Sequence, residues 1–130
     1  VGVTKVPKKE TYKYGIVDPI SINGTTSEIK RIVEKPAPGK APSNLAVTGR
    51  YILTPDILDI LAKGKKGAGG EIQLTDALAQ HVKKKAGYAC NYTGTYYDCG
   101  NKLEFIKAIV NYGLKRKEFK TQLKRYLKKV

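Results

Sequence analysis

The chain has 130 residues, 41% of them hydrophobic and 28% charged, with 25 Lys and Arg against 11 Asp and Glu and a formal net charge of +14. That length suits one core-forming domain, and the composition excludes a disordered polyelectrolyte; the positive excess favours anionic partners (nucleic acid, acidic membrane, phosphorylated small molecules) without choosing among them. No apolar run approaches the roughly 20 residues that a membrane-spanning helix needs, and no signal-peptide apolar segment is present.

In chain order, the first dozen residues are polar and basic and read as a lead-in from elsewhere. "YKYGIVD" (Tyr12–Asp18) alternates as a strand does, with Gly15 inside it; a strand glycine marks a bulge or a close approach to the backbone. Asn23-Gly24 is a strong hairpin signal and leads to a strand from about Ile29 to Lys35. A further strand is expected over Leu45–Leu53. Thr54 then reads as an N-cap and Pro55 as the first residue of a helix whose face is Ile57, Ile60 and Leu61, ended by Gly64. "KGKKGAGGE" (63–71) reads as a basic surface connection, because it does not follow a strand and open a helix at phosphate-loop spacing. "QLTDALAQHVKKK" predicts a second helix capped by Thr75, with lysines at the end where they complement the dipole.

"YACNYTGTYYDCG" predicts two short strands around Thr93-Gly94. Asn101 with Glu104 imitates a capping box and opens a helix through Ile106, Ile109 and Val110 to Gly113. The last segment places Leu114, Phe119, Leu123, Tyr126 or Leu127, and Val130 at helical spacing. Cys90 and Cys99 are close enough in sequence to pair, but without a secretory signal they are expected as free thiols, and with His81 alone they do not make a zinc site. Strands first and helices later predict a mixed sheet with helices packed on it. Several strands lack an obvious second layer, the chain has no methionine, and it begins at Val1; part of a larger sheet is expected to lie outside it.

Five motifs stand in order: "YGIVD", "VEKP", "APSNLAVTGRYIL", "GGEIQLTDAL" and "YYDCGNKLEFIKAIVNYGL". Together they closely resemble the C-terminal half of the bacterial UTP–glucose-1-phosphate uridylyltransferases, a family of sugar-phosphate nucleotidyltransferases, from about Lys5 to the C-terminus. "VEKP" alone is four common residues; "EIQLTDA" followed by "DCGNKL" is the specific part. The resemblance implies an α/β, partial Rossmann-like nucleotidyltransferase fold, a mixed β-sheet with flanking helices, and the N-terminal nucleotide-binding half absent. Residues 1–130 would then be the C-terminal sugar-phosphate-binding portion, with the C-terminal helices in 101–130. The family makes UDP-glucose and pyrophosphate from UTP and glucose 1-phosphate with Mg²⁺, which implies a cytoplasmic homo-oligomer with no membrane and no specific nucleic-acid partner. The glycine-rich loop ending in Arg and the first metal-binding Asp of that family do not appear in this sequence, so the chain alone is expected to be inactive.

Residue by residue, the resemblance assigns Gly15 to backbone contact with the hexose, where the missing Cβ admits a sugar ring. Glu34 matches the acceptor of the sugar hydroxyls and Lys35 the catalytic ammonium that meets the substrate phosphate. Adjacent strand residues point to opposite faces, a tension that is relieved if the strand ends at Lys35, before Pro36. Val47 would offer its backbone to the sugar and Tyr51 would line the same wall, although core packing is the equal or better explanation of both. Glu71, Gln73, Thr75 and Asp76 are read as structural. Asp98 matches a magnesium-binding carboxylate, against the plainer reading of a turn aspartate before Gly100. "VEKP" and "NLAVTGRY" are expected as two adjoining strand ends that hold a glucosyl phosphate.

Two other readings compete. The +14 charge and the tail from Lys115 to Lys129 suit a basic nucleic-acid-binding module, but the charges surround the helix and no recognition motif is present. The last two helices could equally serve oligomerisation.

Overall fold

Val3, Val17, Ile32 and Leu45 come from four separate stretches of chain, and all four are buried in one apolar cluster. Period-2 alternation aims them at a common face of a sheet. The computed structural model describes residues 1–64 and 70–130. Its strands are β1 (Gly2–Lys5), β2 (Gly15–Asn23), β3 (Thr26–Glu34), β4 (Leu45–Val47) and β5 (Tyr88–Asn91), and a 3-10 helix spans Lys8–Lys13. Hydrogen bonding closes them in the order β1-β4-β2-β3-β5. The sheet is mixed, because β1 runs parallel to β5 while the other pairs are antiparallel. Helices α1 (Asp56–Ala62) and α2 (Leu74–His81) follow β4, and α3 (Lys102–Lys115) and α4 (Lys120–Leu127) follow β5. The expected α/β class with a mixed sheet is what forms.

The chain divides into two compact units, Val1–Thr93 and Gly94–Val130. In the first, Ile57 of α1 and Ala77 and Leu78 of α2 join the cluster of Val3, Val17, Ile32 and Leu45, and Ile60 and Leu61 pack partly buried against it. The α1 face read from spacing is therefore the one that is buried. Ile16 and Ala46 project from the other face into a smaller cluster with Val6. Asp56 at the head of α1 lies 2.9 Å from His81 Nδ1 and 3.2 Å from Lys85 Nζ, which brings the start of one helix to the end of the next. The Thr54 hydroxyl and, after it, the Lys85 ammonium hold the Asp56 carboxyl down at about 2.

Several local expectations are corrected. The N-terminal residues are not a free lead-in: Val3 is 1% exposed, and β1 pairs with both β4 and β5. Tyr12 belongs to the 3-10 helix, and β2 runs past Asp18 to Asn23, passing Pro19 through a break in register that accommodates its missing N–H. The third expected strand stops at Val47, and Gly49 takes a φ of 69° that ends its extension. Gln73, and not Thr75, is the N-cap of α2. No second strand follows Thr93-Gly94. Lys65–Gly69 of the basic connection lie outside the described residues.

In the second unit, the Asn101 carboxamide oxygen accepts from the Leu103 and Glu104 amides at 2.9 and 3.2 Å, which starts α3 as expected. The reciprocal half of the box is missing, because Glu104 pairs with Lys107 and the Asn101 amide donates to the Asp98 carbonyl. The face predicted for α3 is not buried: Ile106 and Ile109 are each 57% exposed, and Ala108 is the buried residue. A Cβ at Gly113 would sit 2.7 Å from Leu123 Cδ2, so α3 and α4 meet closely where α3 has no side chain. Cys90 and Cys99 are both free and exposed. Among the described residues, no helix is long and apolar enough to cross a membrane.

Candidate functional site

The site grows from one line across the sheet. Gly15 at the start of β2 lies directly opposite Glu34 at the end of β3. On the other side of β2, Ile16 pairs with Ala46, so one step further brings Gly15 level with Val47 at the end of β4. Cross-strand partners share a face, and here it is the face that α1 and α2 cover. "VEKP" and "NLAVTGRY" are therefore not neighbours, since β2 runs between them and Gly15 fills the gap.

The glycine is needed for contact. A Cβ on Gly15 would stand 2.9 Å from Glu34 Oε2, 3.1 Å from Thr75 Cγ2 and 3.5 Å from Thr75 Oγ1. The Glu34 carboxylate thus leans over the bare backbone of β2, and the first turn of α2 closes the same space from above. Tyr51 borders it too: burial, and then the nearby Glu34 charge, push the Tyr51 phenol above its ordinary value. The phenol is consequently a neutral O–H donor at physiological pH. Val47 is half-buried and packs against the core.

The strand ends at Glu34, one residue earlier than expected, and Lys35 adopts a φ of 41°. It is the one non-glycine residue with positive φ among those described. Such a conformation costs on the order of 1–3 kcal/mol and persists where the surroundings impose it. Here the Lys35 amide donates to the Tyr14 carbonyl at 3.1 Å and Pro36 is buried beyond it, which pins the turn from both sides. The left-handed step releases Lys35 from strand alternation, so it need not point opposite Glu34, and its side chain is exposed.

Asp98 belongs to the second unit. Its Oδ1 accepts from the Gly100 amide at 3.0 Å, and its carbonyl accepts from the Asn101 amide at 2.9 Å. This is the turn geometry of the plainer reading. It leaves Oδ2 without a partner among the described residues, and one carboxylate oxygen suits a cation that takes most of its ligands from substrate phosphates and water. Among the described residues, no group of three or more His, Cys, Asp or Glu is placed to hold a metal by itself.

An apolar hollow of about 360 Å³ lies elsewhere in the first unit, between residues such as Ile29, Ile32, Leu53, Ile57 and Val82, and includes none of the predicted site residues. Sequence reading missed two features: the Asp56–His81–Lys85 cluster, which only the packing of α1 on α2 assembles, and the place of Thr75 over Gly15. The second stood in the most recognisable motif, but a threonine at a helix start explains itself.

Residues 1–114 match the family of nucleotidyl transferases. The chain is 45% identical over all its 130 residues to the UTP–glucose-1-phosphate uridylyltransferase of Staphylococcus epidermidis, of which it spans 45%. It is also similar to a solved UDP-glucose pyrophosphorylase complexed with UDP-glucose, at 46% identity and a TM-score of 0.83, over 89% of this chain and 44% of that one. A UDP-glucose pyrophosphorylase from Acinetobacter baumannii gives 35% identity and a TM-score of 0.84 over 99% of this chain and 44% of its own. The chain thus spans less than half the length of these relatives.

Proposed function

The chain belongs to the nucleotidyl transferase family, and from that premise we propose that its first unit holds glucose 1-phosphate for uridylyl transfer, the reaction that joins glucose 1-phosphate to UTP and yields UDP-glucose and pyrophosphate. The observation that carries this reading is the Gly15–Glu34 pair, a carboxylate leaning over a strand glycine beside a lysine thrown into a left-handed turn. Glu34 accepts hydrogen bonds from neighbouring ring hydroxyls, and the neutral Tyr51 phenol is available to donate. Lys35, exposed at the strand end, meets the phosphate dianion. Val47 closes the wall on the β4 side.

In the transfer, an oxygen of the glucose 1-phosphate phosphate attacks the α-phosphorus of UTP. A P–O bond forms there, the bond from that phosphorus to the bridging oxygen breaks, and pyrophosphate leaves. The residues of this chain contribute by holding the nucleophilic phosphate in place and by offsetting its charge. The metal proposed is Mg²⁺; Asp98 would hold it, and when bound it supplies charge neutralisation to the phosphates. Cytoplasmic location and homo-oligomeric assembly belong to the same reading. The chain by itself is proposed not to catalyse, so UDP-glucose formed by the purified chain would contradict that part.

The binding proposal is tested by titrating the chain with glucose 1-phosphate beside Glu34→Ala and Lys35→Ala. Saturable binding that both substitutions abolish is expected. Undiminished binding by both variants would refute the assignment.

A further inference from the structure

Half of the net positive charge stands in the second unit. Between Gly94 and Val130 there are ten Lys and Arg against three Asp and Glu, a net +7 of the total +14. Eight of those cations fall between Lys115 and Lys129, where Glu118 is the one acid, and none of the eight makes an ion pair among the described residues. The nucleotidyl transferase match ends at residue 114, before this stretch, so the family assignment does not account for it.

On α4 the charges, expected to surround the helix, are sorted by side. Phe119, Leu123, Tyr126 and Leu127 recur three and four residues apart and form one apolar stripe, continued past the helix by Val130. Lys120, Lys124 and Lys128 follow one edge of that stripe at a spacing of four, and Arg125 and Lys129 follow the other. Part of the stripe is used inside the unit, where Leu123 Cδ2 and Phe119 Cε2 lie 2.7 and 3.6 Å from the point a Gly113 Cβ would take. The rest is open, since Tyr126, Leu127 and Val130 are exposed. On α3, Ile106 and Ile109 stand seven and four residues before Gly113, on the side that meets α4, and they are exposed as well. The two apolar stripes thus meet at Gly113 and stay uncovered beyond it, with cations along both edges of the α4 stripe.

We infer that the second unit docks reversibly on an anionic lipid bilayer surface. A short helix with apolar residues on one side and Lys and Arg on the other lies in the plane of the interface, its apolar residues at the headgroup boundary and its cations among anionic headgroups. Tyr126 suits that boundary, with an apolar ring and a polar tip. Eight helical residues bury little apolar area, so charge supplies much of the attraction and salt weakens it. A nucleic-acid backbone would meet the cations but would leave Leu127, Ile106 and Ile109 uncovered. A second copy packed face to face would set +7 against +7. Docking is on the surface and not across it, because no described helix is long and apolar enough to span a membrane. The expectation of no membrane partner came from the family resemblance; the surface of this unit points the other way.

The test is flotation of the full chain with vesicles of phosphatidylcholine alone and of phosphatidylcholine mixed with phosphatidylglycerol. Wild type is expected to float with the mixed vesicles only, and to be released as salt rises. Flotation with neither, or equally with both, would overturn the inference. Replacing Tyr126 and Leu127 together by serine keeps every charge and should weaken binding by about tenfold or more; binding like wild type would mean diffuse charge alone and overturn it. Replacing Lys120, Lys124 and Lys128 together by glutamine should weaken it by about a hundredfold, and an unchanged affinity would count equally against it. The chain has no tryptophan, so Tyr126→Trp gives a reading from that one position, whatever the serine pair does to folding. Its emission should shift to the blue with the mixed vesicles, and an unshifted emission would overturn the inference even if the chain floats. Duplex DNA that strips the wild-type chain from the vesicles at equal phosphate, or a dimer that the serine pair breaks, would assign the face to another partner and overturn it too.

Discussion

The two units solve the problem of burial differently. In Val1–Thr93, strands and helices bring Val3, Ile16, Val17 and Ile57 to 1% exposure or less. In Gly94–Val130, Ala108 is the one buried apolar residue among those described, while Leu103, Phe105, Ile106, Ile109 and Tyr112 stay open along α3. The first unit therefore carries a core of its own, and the residues of the proposed sugar site are set into its edge. The second shows a side-chain cap on α3 and the approach of Leu123 and Phe119 to Gly113. Fixed geometry, such as a carboxylate seated over a glycine, needs the packing that only the first unit has.

Substitutions that remove apolar volume separate the units most widely. Ile57→Ala is expected to cost about 2–5 kcal/mol, because the side chain is enclosed and a cavity remains. Ile106→Ala, at an exposed position of α3, is expected to stay within about 0.5 kcal/mol. Urea denaturation followed by far-UV circular dichroism measures both, and equal losses would erase the contrast. Next in size is Gly15→Ala: its methyl would press on Glu34 Oε2 and on Thr75, so glucose 1-phosphate affinity should fall by about tenfold or more. Calorimetry decides it, and unchanged affinity would mean that Glu34 does not work from over Gly15.

A smaller effect belongs to the second unit, where Asn101→Ala removes the acceptor of two α3 amides and should cost about 1 kcal/mol of local helix stability. Hydrogen exchange of the first-turn amides would report it. The mildest effect concerns Asp56. Its carboxyl is held at about 2 in the folded chain, below the ordinary 3.8, so its stabilising contribution is fully present above about pH 4 and is lost as pH falls through about 2. The thermal midpoint of the first unit should drop over that interval, and Asp56→Asn should flatten the drop. An acid limb that is identical in wild type and Asp56→Asn would show that the link from α1 to Thr54 and Lys85 does not matter to stability.

The sequence made some of this legible. Asn23-Gly24 announces the β2–β3 hairpin because few residues accept a φ of 60° as Gly24 does, and the Ile57, Ile60 and Leu61 face follows from helical spacing alone. Other features were hidden for physical reasons. β1 is four residues long and gains its order from pairing with β4 and β5, a non-local effect that local pattern cannot supply. Pro19 argues against a long strand until the register break is seen. Ile106 and Ile109 show a clean helical period, yet periodicity identifies an apolar face without telling whether anything covers it.

At the candidate site, motif resemblance suggested the residues but not their arrangement. Strict alternation would set Lys35 opposite Glu34, and nothing in "VEKP" reveals that the backbone turns left-handed at the lysine. Thr75 was hidden in a different way. Its position at a helix start offers a sufficient local explanation, and its closeness to Gly15 appears only once the chain is folded.

The contrast between the units also indicates where the decisive measurement lies. Amide chemical shifts of the ¹⁵N-labelled chain, followed while glucose 1-phosphate is added, would report both units in one experiment. The account predicts saturable shifts at Gly15, Glu34, Lys35 and Thr75, with the amides of α4 unmoved. Shifts confined to the lysine-rich helices α3 and α4 would contradict it, since the phosphate would then be responding to diffuse positive charge and not to a site built on the sheet.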